Sequence, residues 1–241
     1  MFSGKIAHRG LHGGDIPENS MAAFSRAVDK GFAIELDVRL TRDGKLAVFH
    51  DAELERMCGV EGRLEDFTYE QLSAFRLKGS DERIPLLKDV LKLVDGKVPL
   101  LVELKDCGFP VLEKRTIRLM KNYRGEFAVQ SFDPFTVMWY RLFSPDTARG
   151  QLISTYKKRL DLQYIARRIC ALPIVWRLIS RPDFISADIR TIDEKTIKAV
   201  KECGAELFLW TIKTDKGLKK AEGLTDGIIF ENYDRIKINK N

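Results

Sequence analysis

The feature that most constrains this fold is a regular alternation of strand-like and helix-like segments along nearly the whole chain. Short apolar runs bounded by turn residues alternate with segments whose apolar residues recur at helical spacing. Alternating strands and helices predict a parallel sheet, and eight such units in 241 residues favour a closed barrel over an open sheet. We therefore predict an α/β fold, a (β/α)8 TIM barrel. Its expected strands are Lys5–His8, Ala33–Leu40, Leu100–Lys105, Phe127–Phe132, Gly150–Ile153, Phe184–Ile189, Leu207–Ile212 and Gly227–Phe230.

The sequence shows no linker that would divide the chain. No stretch is rich in Gly, Ser and Pro, and 44% apolar residues suffice for a substantial core. We expect one catalytic domain over residues 1–241. Residues 52–84 are polar, with scattered glycines and a short helical piece near 69–77. We expect them to form a small insertion after strand two.

Three absences narrow the class of protein. No apolar run is long enough to span a bilayer, and residues 1–14 lack the apolar core of a signal peptide. The four cysteines show no C-x-x-C spacing, so free thiols in a reducing compartment are expected. The sequence carries no nucleic-acid-binding motif. We expect a cytoplasmic protein that does not bind nucleic acid.

The segment Ala33–Leu40 carries two acidic residues at alternate positions. Side chains of a strand alternate between its faces, so Glu35 and Asp37 point to the same side. Two carboxylates placed together in an apolar strand are costly unless a positive charge lies between them. A divalent cation would supply that charge. The alternative is an edge strand with a solvated acidic face.

Further polar residues fall at the ends of predicted strands, which is where barrel enzymes place their chemistry. Glu103 and Lys105 form a second pair at alternate positions. Three acids, Glu35, Asp37 and Glu103, can therefore converge on one cation. Their all-oxygen set suits Mg²⁺ or Ca²⁺ better than zinc.

Basic residues and histidines accompany these acids. Arg9 and Lys105 add fixed positive charge, and a metal with such cations fits a phosphate ester. His8 and His50 can act as general acid and base near neutral pH, while a structural role for either is the alternative. The third histidine, His12, lies in the first loop and is expected to be solvated.

Seven short motifs occur in a familiar order. They resemble the glycerophosphodiester phosphodiesterase family over nearly the whole chain. The resemblance implies a TIM barrel with a small insertion, a divalent cation, Mg²⁺ or Ca²⁺, and hydrolysis of glycerophosphodiesters to glycerol 3-phosphate and an alcohol. Deacylated phospholipids are such substrates, which implies a role in lipid and glycerol metabolism. The motifs are His8-Arg9-Gly10, Pro17-Glu18-Asn19-Ser20, Glu35-x-Asp37-Val38, His50-Asp51, Val102-Glu103-x-Lys105, Gln130-Ser131-Phe132 and Trp210-Thr211.

The resemblance also implies roles by position. It makes His8 and His50 the acid/base pair, the three acids the metal ligands, and Arg9 and Lys105 the phosphate contacts. Glu18 would border the site and support Arg9 or the metal. Phe132 and Trp210 would wall the glycerol pocket, although packing at the barrel mouth is equally expected of them. The chain departs from the family pattern at Lys213, where asparagine is expected, and at Phe230-Glu231, where Thr-Asp is expected.

Several alternatives remain open at this point. The nucleophile is either water or the glycerol 2-hydroxyl, and either histidine can be the acid. Besides a diesterase for small-molecule substrates, the chain could be a related phospholipase D-type enzyme acting on lysolipids, or a non-catalytic barrel that binds phospho-ligands or lipid. Two histidines beside three acids favour a catalyst.

One segment, residues 156–181, carries seven basic residues against the single acid Asp161. We expect an outer barrel helix there, with an apolar face that includes Ile169 and Leu172 packed on the core and a break at Pro173. The second interpretation is contact with a membrane surface or another copy of the chain, because basic amphipathic helices with Trp can lie at lipid interfaces. The sequence leaves the oligomeric state open.

Overall fold

Eight parallel strands pair side by side and close on themselves into a barrel. The computed structural model describes residues 4–105, 107–154 and 169–238. The first strand pairs with both the second and the last barrel strand, which closes the ring. A ninth strand forms an antiparallel hairpin with the second. In chain order the strands are β1 (Gly4–Ala7), β2 (Ala33–Leu40), β3 (Leu46–Val48, the hairpin strand), β4 (Leu100–Leu104), β5 (Phe127–Ser131), β6 (Ala148–Ile153), β7 (Phe184–Asp188), β8 (Glu206–Ile212) and β9 (Gly227–Phe230).

Helices connect the barrel strands on the outside, and together they confirm the predicted (β/α)8 TIM barrel. A π-helical turn, Trp176–Ser180, continues the short helix α7. The described helices are α1 (Met21–Lys30), α2 (Glu55–Cys58), α3 (Tyr69–Leu72), α4 (Leu87–Val94), α5 (Val111–Met120), α6 (Pro134–Phe143), α7 (Pro173–Val175), α8 (Glu194–Glu202) and α9 (Asp215–Ala221).

The alternation within β2 decides which side chains reach the barrel interior. Ile34, Leu36 and Val38 are fully buried and pack outward against the helices. The intervening acids therefore point inward, as the sequence predicts. A separate apolar cluster fills the barrel below them, so the acidic side chains lie above a dry floor. This floor consists of Ile6, Leu101, Ala128, Phe184, Phe208 and Ile229.

The helix α1 fixes the loop that follows β1. Ser20 caps its first turn by accepting a hydrogen bond from the amide of Ala23 at 3.1 Å. Gly31 ends it in the left-handed conformation, with φ of 67°. The loop between Ala7 and Ser20 is thereby tied down at the barrel mouth.

The insertion after the hairpin has a small core of its own. Leu54, Met57, Leu64 and Leu72 pack together against Phe49. Its predicted helix near residues 69–77 is shorter in the structure, because α3 ends at Leu72. The insertion lies at the same end of the barrel as the carboxyl ends of the strands, since its Arg56 contacts Glu18 in the loop after β1.

The segment after β6 departs from the sequence expectation. Residues 155–168, which include much of the predicted basic helix, lie outside the described residues. Within 169–181, Trp176 is buried, but Ile169, Leu172, Ile174 and Leu178 are about half exposed or more. These four side chains therefore do not form a core-facing stripe. Among the helices in the described part of the chain, none is both long and apolar enough to cross a membrane.

We expect Gly150→Ala to destabilise the barrel. A Cβ at this position in β6 would lie 2.0 Å from Cε2 of Phe184, in the packed floor. Overpacking of this kind costs about 1–3 kcal/mol, and urea unfolding followed by circular dichroism would measure it.

The matched control is Gly217→Ala, in helix α9. Its added Cβ would meet only ordinary contacts, the nearest at 3.5 Å. Alanine is also the better helix former, so we expect this variant to equal or exceed the wild type in stability. Equal stability of all three proteins would contradict the proposed floor packing.

Candidate active site at the barrel mouth

Three acidic side chains meet inside the barrel mouth. Asp37 and Glu103 are register partners on the adjacent strands β2 and β4, and Glu35 lies one inward-facing position below Asp37. Ligand oxygens of the three residues all lie within 4.8 Å of one another. All three residues are buried. The structure therefore brings together the acidic triad that the sequence predicts.

The triad suits a divalent cation. Oε1 of Glu35 is buried and has no hydrogen-bond partner among the described residues. Burial, together with repulsion from Asp37 and Glu103, raises the pKa of Glu35 well above its usual value. A cation bound at Oε1 would satisfy the orphaned oxygen and relieve the repulsion. The donor set is all oxygen, as Mg²⁺ and Ca²⁺ prefer.

Two cations border the same acids. Nζ of Lys105 lies 2.7 Å from Oδ1 of Asp37 and also pairs with Glu103. Nε of Arg9 lies 3.4 Å from Oδ2 of Asp37, and the Arg9 amide donates to Glu35 at 2.9 Å. Burial alone would raise the pKa of Asp37, but the charges of Lys105 and its neighbours outweigh burial and lower it.

The position of Arg9 depends on Glu18. Nη1 of Arg9 donates to Oε1 of Glu18 at 2.6 Å. Arg56, from helix α2 of the insertion, donates to both oxygens of the same carboxylate, at 2.6 and 3.1 Å. Burial would raise the pKa of Glu18, yet Arg56 and Arg9 lower it to about 2. Glu18 therefore links Arg9 to the insertion and contacts the acidic triad only through that arginine.

His8 is anchored through its Nδ1 atom. This nitrogen lies 2.5 Å from Oε1 of Glu231, at the end of β9. The opposite oxygen of Glu231 lies 2.6 Å from Nζ of Lys213. Nε2 of His8 is left facing the acids, 3.9 Å from Glu35. Burial, assisted by the charge of Arg9, lowers the pKa of His8 to about 4, so its imidazole is neutral at pH 7.

His50 is anchored in the same manner. Its Nδ1 lies 2.6 Å from Oδ1 of Asp51, and Arg56 pairs with the other oxygen of that carboxylate. Its carbonyl accepts a hydrogen bond from Nε of Arg39 at 2.9 Å. The charge of His50 is among the influences that lower the pKa of the buried Asp37, so the imidazole lies near the acidic cluster. Both imidazoles thus hold Nδ1 on a carboxylate and keep Nε2 available.

The predicted aromatic pair lies on another side of the mouth. The rings of Phe132 and Trp210 meet edge to face, with centroids 6.0 Å apart. Nε1 of Trp210 donates to the carbonyl of Ser186 at 3.0 Å, which fixes the indole. Both aromatic residues keep part of their surface open to solvent. They can therefore contact a ligand in the mouth as well as pack on each other.

Sequence reasoning missed several supporting residues. In the sequence, Glu231 and Lys213 stand out only as departures from a family pattern. They directly follow the neighbouring strands β9 and β8 and carry opposite charges. Asn19 donates to Oδ2 of Asp37 at 2.8 Å, and Arg56 holds Glu18. No pattern in the sequence points to Arg56, because its partner Glu18 lies 38 residues away. His12 is partly buried rather than freely solvated.

A barrel mouth that joins an acidic cluster to fixed cations and two anchored imidazoles is suited to the chemistry of phosphate esters. The sequence model of the glycerophosphoryl diester phosphodiesterase family matches residues 8–235. A glycerophosphodiester phosphodiesterase of Caldanaerobacter subterraneus subsp. tengcongensis is 31% identical over 96% of this chain and 95% of its own length. The chain belongs to this family and is a phosphoric diester hydrolase, with glycerophosphodiester phosphodiesterase activity.

Two further comparisons bear on the fold and on substrates. A solved phosphodiesterase of Oleispira antarctica, in complex with the product sn-glycerol-3-phosphate, superimposes with a TM-score of 0.78. It is 20% identical and covers 94% of this chain and 92% of its own, so the likeness establishes the fold. A mouse lysophospholipase D is 36% identical over 138 residues, which are 52% of this chain and 43% of that protein.

The ion pairs of Glu18 predict a pH dependence of stability. A carboxylate whose pKa is lower in the folded state stabilises the fold above its unfolded pKa and loses this contribution as the pH falls through the folded pKa. The pKa of Glu18 falls from 4.5 to about 2 on folding. We expect Glu18→Gln to lower the free energy of unfolding by up to about 3 kcal/mol at pH 7, and the gap to the wild type to narrow below pH 4.5.

Urea unfolding of both proteins at a series of pH values measures this gap. The control is Glu65→Gln, because Glu65 pairs at 2.8 Å with a half-exposed Arg63. Exposed pairs contribute less than about 1 kcal/mol, so this control should differ little from the wild type at any pH. A Glu18→Gln deficit that stays constant on acidification would contradict the assigned role of these ion pairs.

Proposed function

We propose that this enzyme hydrolyses glycerophosphodiesters to glycerol 3-phosphate and an alcohol, with a divalent cation on Glu35, Asp37 and Glu103 and with His8 and His50 as acid and base. The observation that carries the proposal is the orphaned, buried oxygen of Glu35 within the acidic triad. The product bound to the Oleispira antarctica enzyme supports glycerol 3-phosphate as the product here. Mg²⁺ and Ca²⁺ are the proposed ions.

Charge balance explains why a cation and these basic residues occur together. When all three are ionised, the carboxylates outweigh Arg9 and Lys105 by one negative charge, which would repel a phosphodiester. When bound, a divalent ion would polarise the phosphoryl group and reverse the sign of the local charge. Arg9 and Lys105 then bind the non-bridging phosphate oxygens and stabilise the charge that develops on them.

The two histidines have different surroundings, which suggests different roles. His8 is buried, neutral at pH 7 and held with Nε2 toward the acids, so it accepts the proton of the attacking hydroxyl. His50 is the more exposed imidazole and donates a proton to the departing alcohol oxygen as the P–O bond breaks. The attacking hydroxyl is water or the glycerol 2-hydroxyl, and the latter route forms a cyclic phosphate before hydrolysis.

Two aromatic side chains are candidates for contact with the glycerol end of the substrate. Phe132 and Trp210 present partly exposed rings at the mouth, against which the carbon chain of glycerol packs.

We also propose that residues 1–241 act as a single catalytic domain, with 52–84 as its insertion. The four cysteines are free thiols, which fits a reducing compartment, so we propose a cytoplasmic location.

A second candidate activity is phospholipase D-type cleavage of lysolipids. The mouse lysophospholipase D matches about half of this chain, and several apolar side chains on one side of the barrel are exposed. Turnover of glycerophosphocholine and of lysophosphatidylcholine, each measured with and without a chelator, separates the two activities. Turnover that is insensitive to the chelator would exclude the proposed metal site for both.

We expect His8→Ala and His50→Ala each to lower kcat by about 10²–10⁴, because each removes one proton-transfer group. Circular dichroism should show an unchanged fold. A cyclic glycerophosphate that accumulates in either variant would identify the 2-hydroxyl as nucleophile. Near-normal turnover in the His8 variant would end the acid/base proposal.

Calorimetry tests the metal site separately from activity. We expect Glu103→Gln to weaken Mg²⁺ or Ca²⁺ binding to the protein without substrate, because it removes one of three charged ligands. Glu113→Gln is the matched control, since that buried glutamate contacts Thr136 on helix α6, outside the barrel mouth. Equal ion affinity of the wild type and the Glu103 variant would remove Glu103 from the ligand set.

We propose that Glu231 is a positioning residue for His8. Glu231→Gln should lower kcat by roughly up to a hundredfold while KM changes little, because the imidazole loses its orientation and not a substrate contact. Glu231→Asp should recover part of the loss, since it keeps the carboxylate. A rise in KM at unchanged kcat would instead show that Glu231 contacts substrate.

A further inference from the structure

Helix α6 is apolar on two opposite faces. Its inner face is formed by Pro134, Thr136, Val137 and Tyr140, which are buried against the barrel. On its outer face, Phe135, Leu142 and Phe143 are each more than half exposed, at 51%, 57% and 58%. An outer barrel helix normally turns polar residues to solvent. The outer face of α6 is therefore not explained by packing against the described parts of this chain.

The outer face of α6 continues onto its neighbours through a row of aromatic rings. The ring of Trp139 lies 4.3 Å from that of Phe143 and 5.5 Å from that of Phe109. Phe109 is 46% exposed and precedes α5, in the loop after the strand that carries Glu103. One end of the row therefore reaches the rim of the barrel where the site opens.

The segment on the other side of α6 extends the same surface. The turn Trp176–Ser180 packs against α6. Around it, Ile174 and Leu178 are 63% and 62% exposed. We call the exposed side chains of α6, Phe109 and residues 169–178 the apolar face. Contiguous exposed apolar surfaces of this kind mark sites of interaction with a protein or a membrane.

The charges around the apolar face are predominantly positive. Residues 109–143 contain six basic and three acidic residues, and one of these acids, Glu113, is buried. Residues 169–181 contain two basic residues and no acid, and one of the two, Arg177, pairs with Glu202 on helix α8 at 3.1 Å. The ammonium of Lys114 lies over the ring of Trp139, 5.5 Å from its centroid. Aromatic rings with adjoining cations match the interface of an anionic bilayer, whereas two copies of such a face would repel each other.

We propose that the apolar face docks this enzyme on an anionic phospholipid surface. The exposed aromatic and aliphatic side chains insert at the level of the headgroups and acyl boundary, and the surrounding Lys and Arg side chains pair with anionic headgroups. The surface is formed by described residues on α6, on the start of α5 and on 169–178. The inference concerns binding and does not depend on the proposed activity.

Vesicle co-sedimentation of the full chain tests the proposal. The probes are vesicles of phosphatidylcholine alone and of an equimolar mixture of phosphatidylcholine and phosphatidylglycerol. We expect binding to the mixed vesicles that weakens at high salt, because screening removes the electrostatic part. The triple variant Phe135→Ser/Leu142→Ser/Phe143→Ser should lower the partition coefficient about tenfold or more. Arg141→Gln, which removes one cation from α6, should lower it about fivefold.

The matched control is Leu224→Ser, which removes an exposed apolar side chain (39% exposed) from the turn before β9. It should bind mixed vesicles like the wild type. Turnover of glycerophosphocholine should be unchanged in the triple variant, which shows that it is folded.

Three results would overturn the proposal. The first is absence of vesicle binding by the wild type. The second is equal binding to both kinds of vesicle. The third is a dimer, seen by sedimentation velocity, that the triple variant dissociates while vesicle binding is unaffected, since a second copy would then cover the apolar face.

Discussion

The site depends on the repulsion between three carboxylates that the barrel forces together. Glu35, Asp37 and Glu103 cannot move apart, because their strands are hydrogen-bonded in register and the side chains alternate strictly between inside and outside. Burial strengthens the repulsion by removing water. Lys105 and Arg9 offset part of it, and one oxygen of Glu35 is left without a partner among the described residues. The structure thus holds an arrangement that a divalent cation would complete.

The groups beside the triad are held by ion pairs between distant parts of the chain. Glu18 joins Arg9 of the first loop to Arg56 of the insertion, and Arg56 also contacts Asp51 next to His50. The insertion therefore contributes a positioning cation to both the arginine proposed to bind phosphate and one proposed acid/base histidine. An insertion that only covered the barrel mouth would not need the ion pairs of Arg56 with Glu18 and Asp51. Its small apolar core keeps Arg56 in place.

Much of this could be predicted from the sequence. The barrel followed from repeated strand and helix patterns, because those periodicities are local properties of the chain. The acids at positions 35, 37 and 103 were identifiable because ionisable residues inside apolar strands have few structural explanations. The partial exposure of Leu178 and its neighbours could not be predicted, because an amphipathic pattern does not reveal whether its apolar face meets the core or solvent.

The sequence by itself determined the alternation of strands and helices, the shared direction of Glu35 and Asp37 and the likeness to a known family, since each depends on residue type and spacing alone. Only the tertiary structure decided which charges meet. Lys213 and Glu231 look like unrelated departures along the chain, yet β8 and β9 bring them within 2.6 Å and turn Glu231 toward His8. The pairing of Glu231 with His8 depends on the closure of the barrel, which places the last strand beside the first and makes residues at opposite ends of the sequence neighbours.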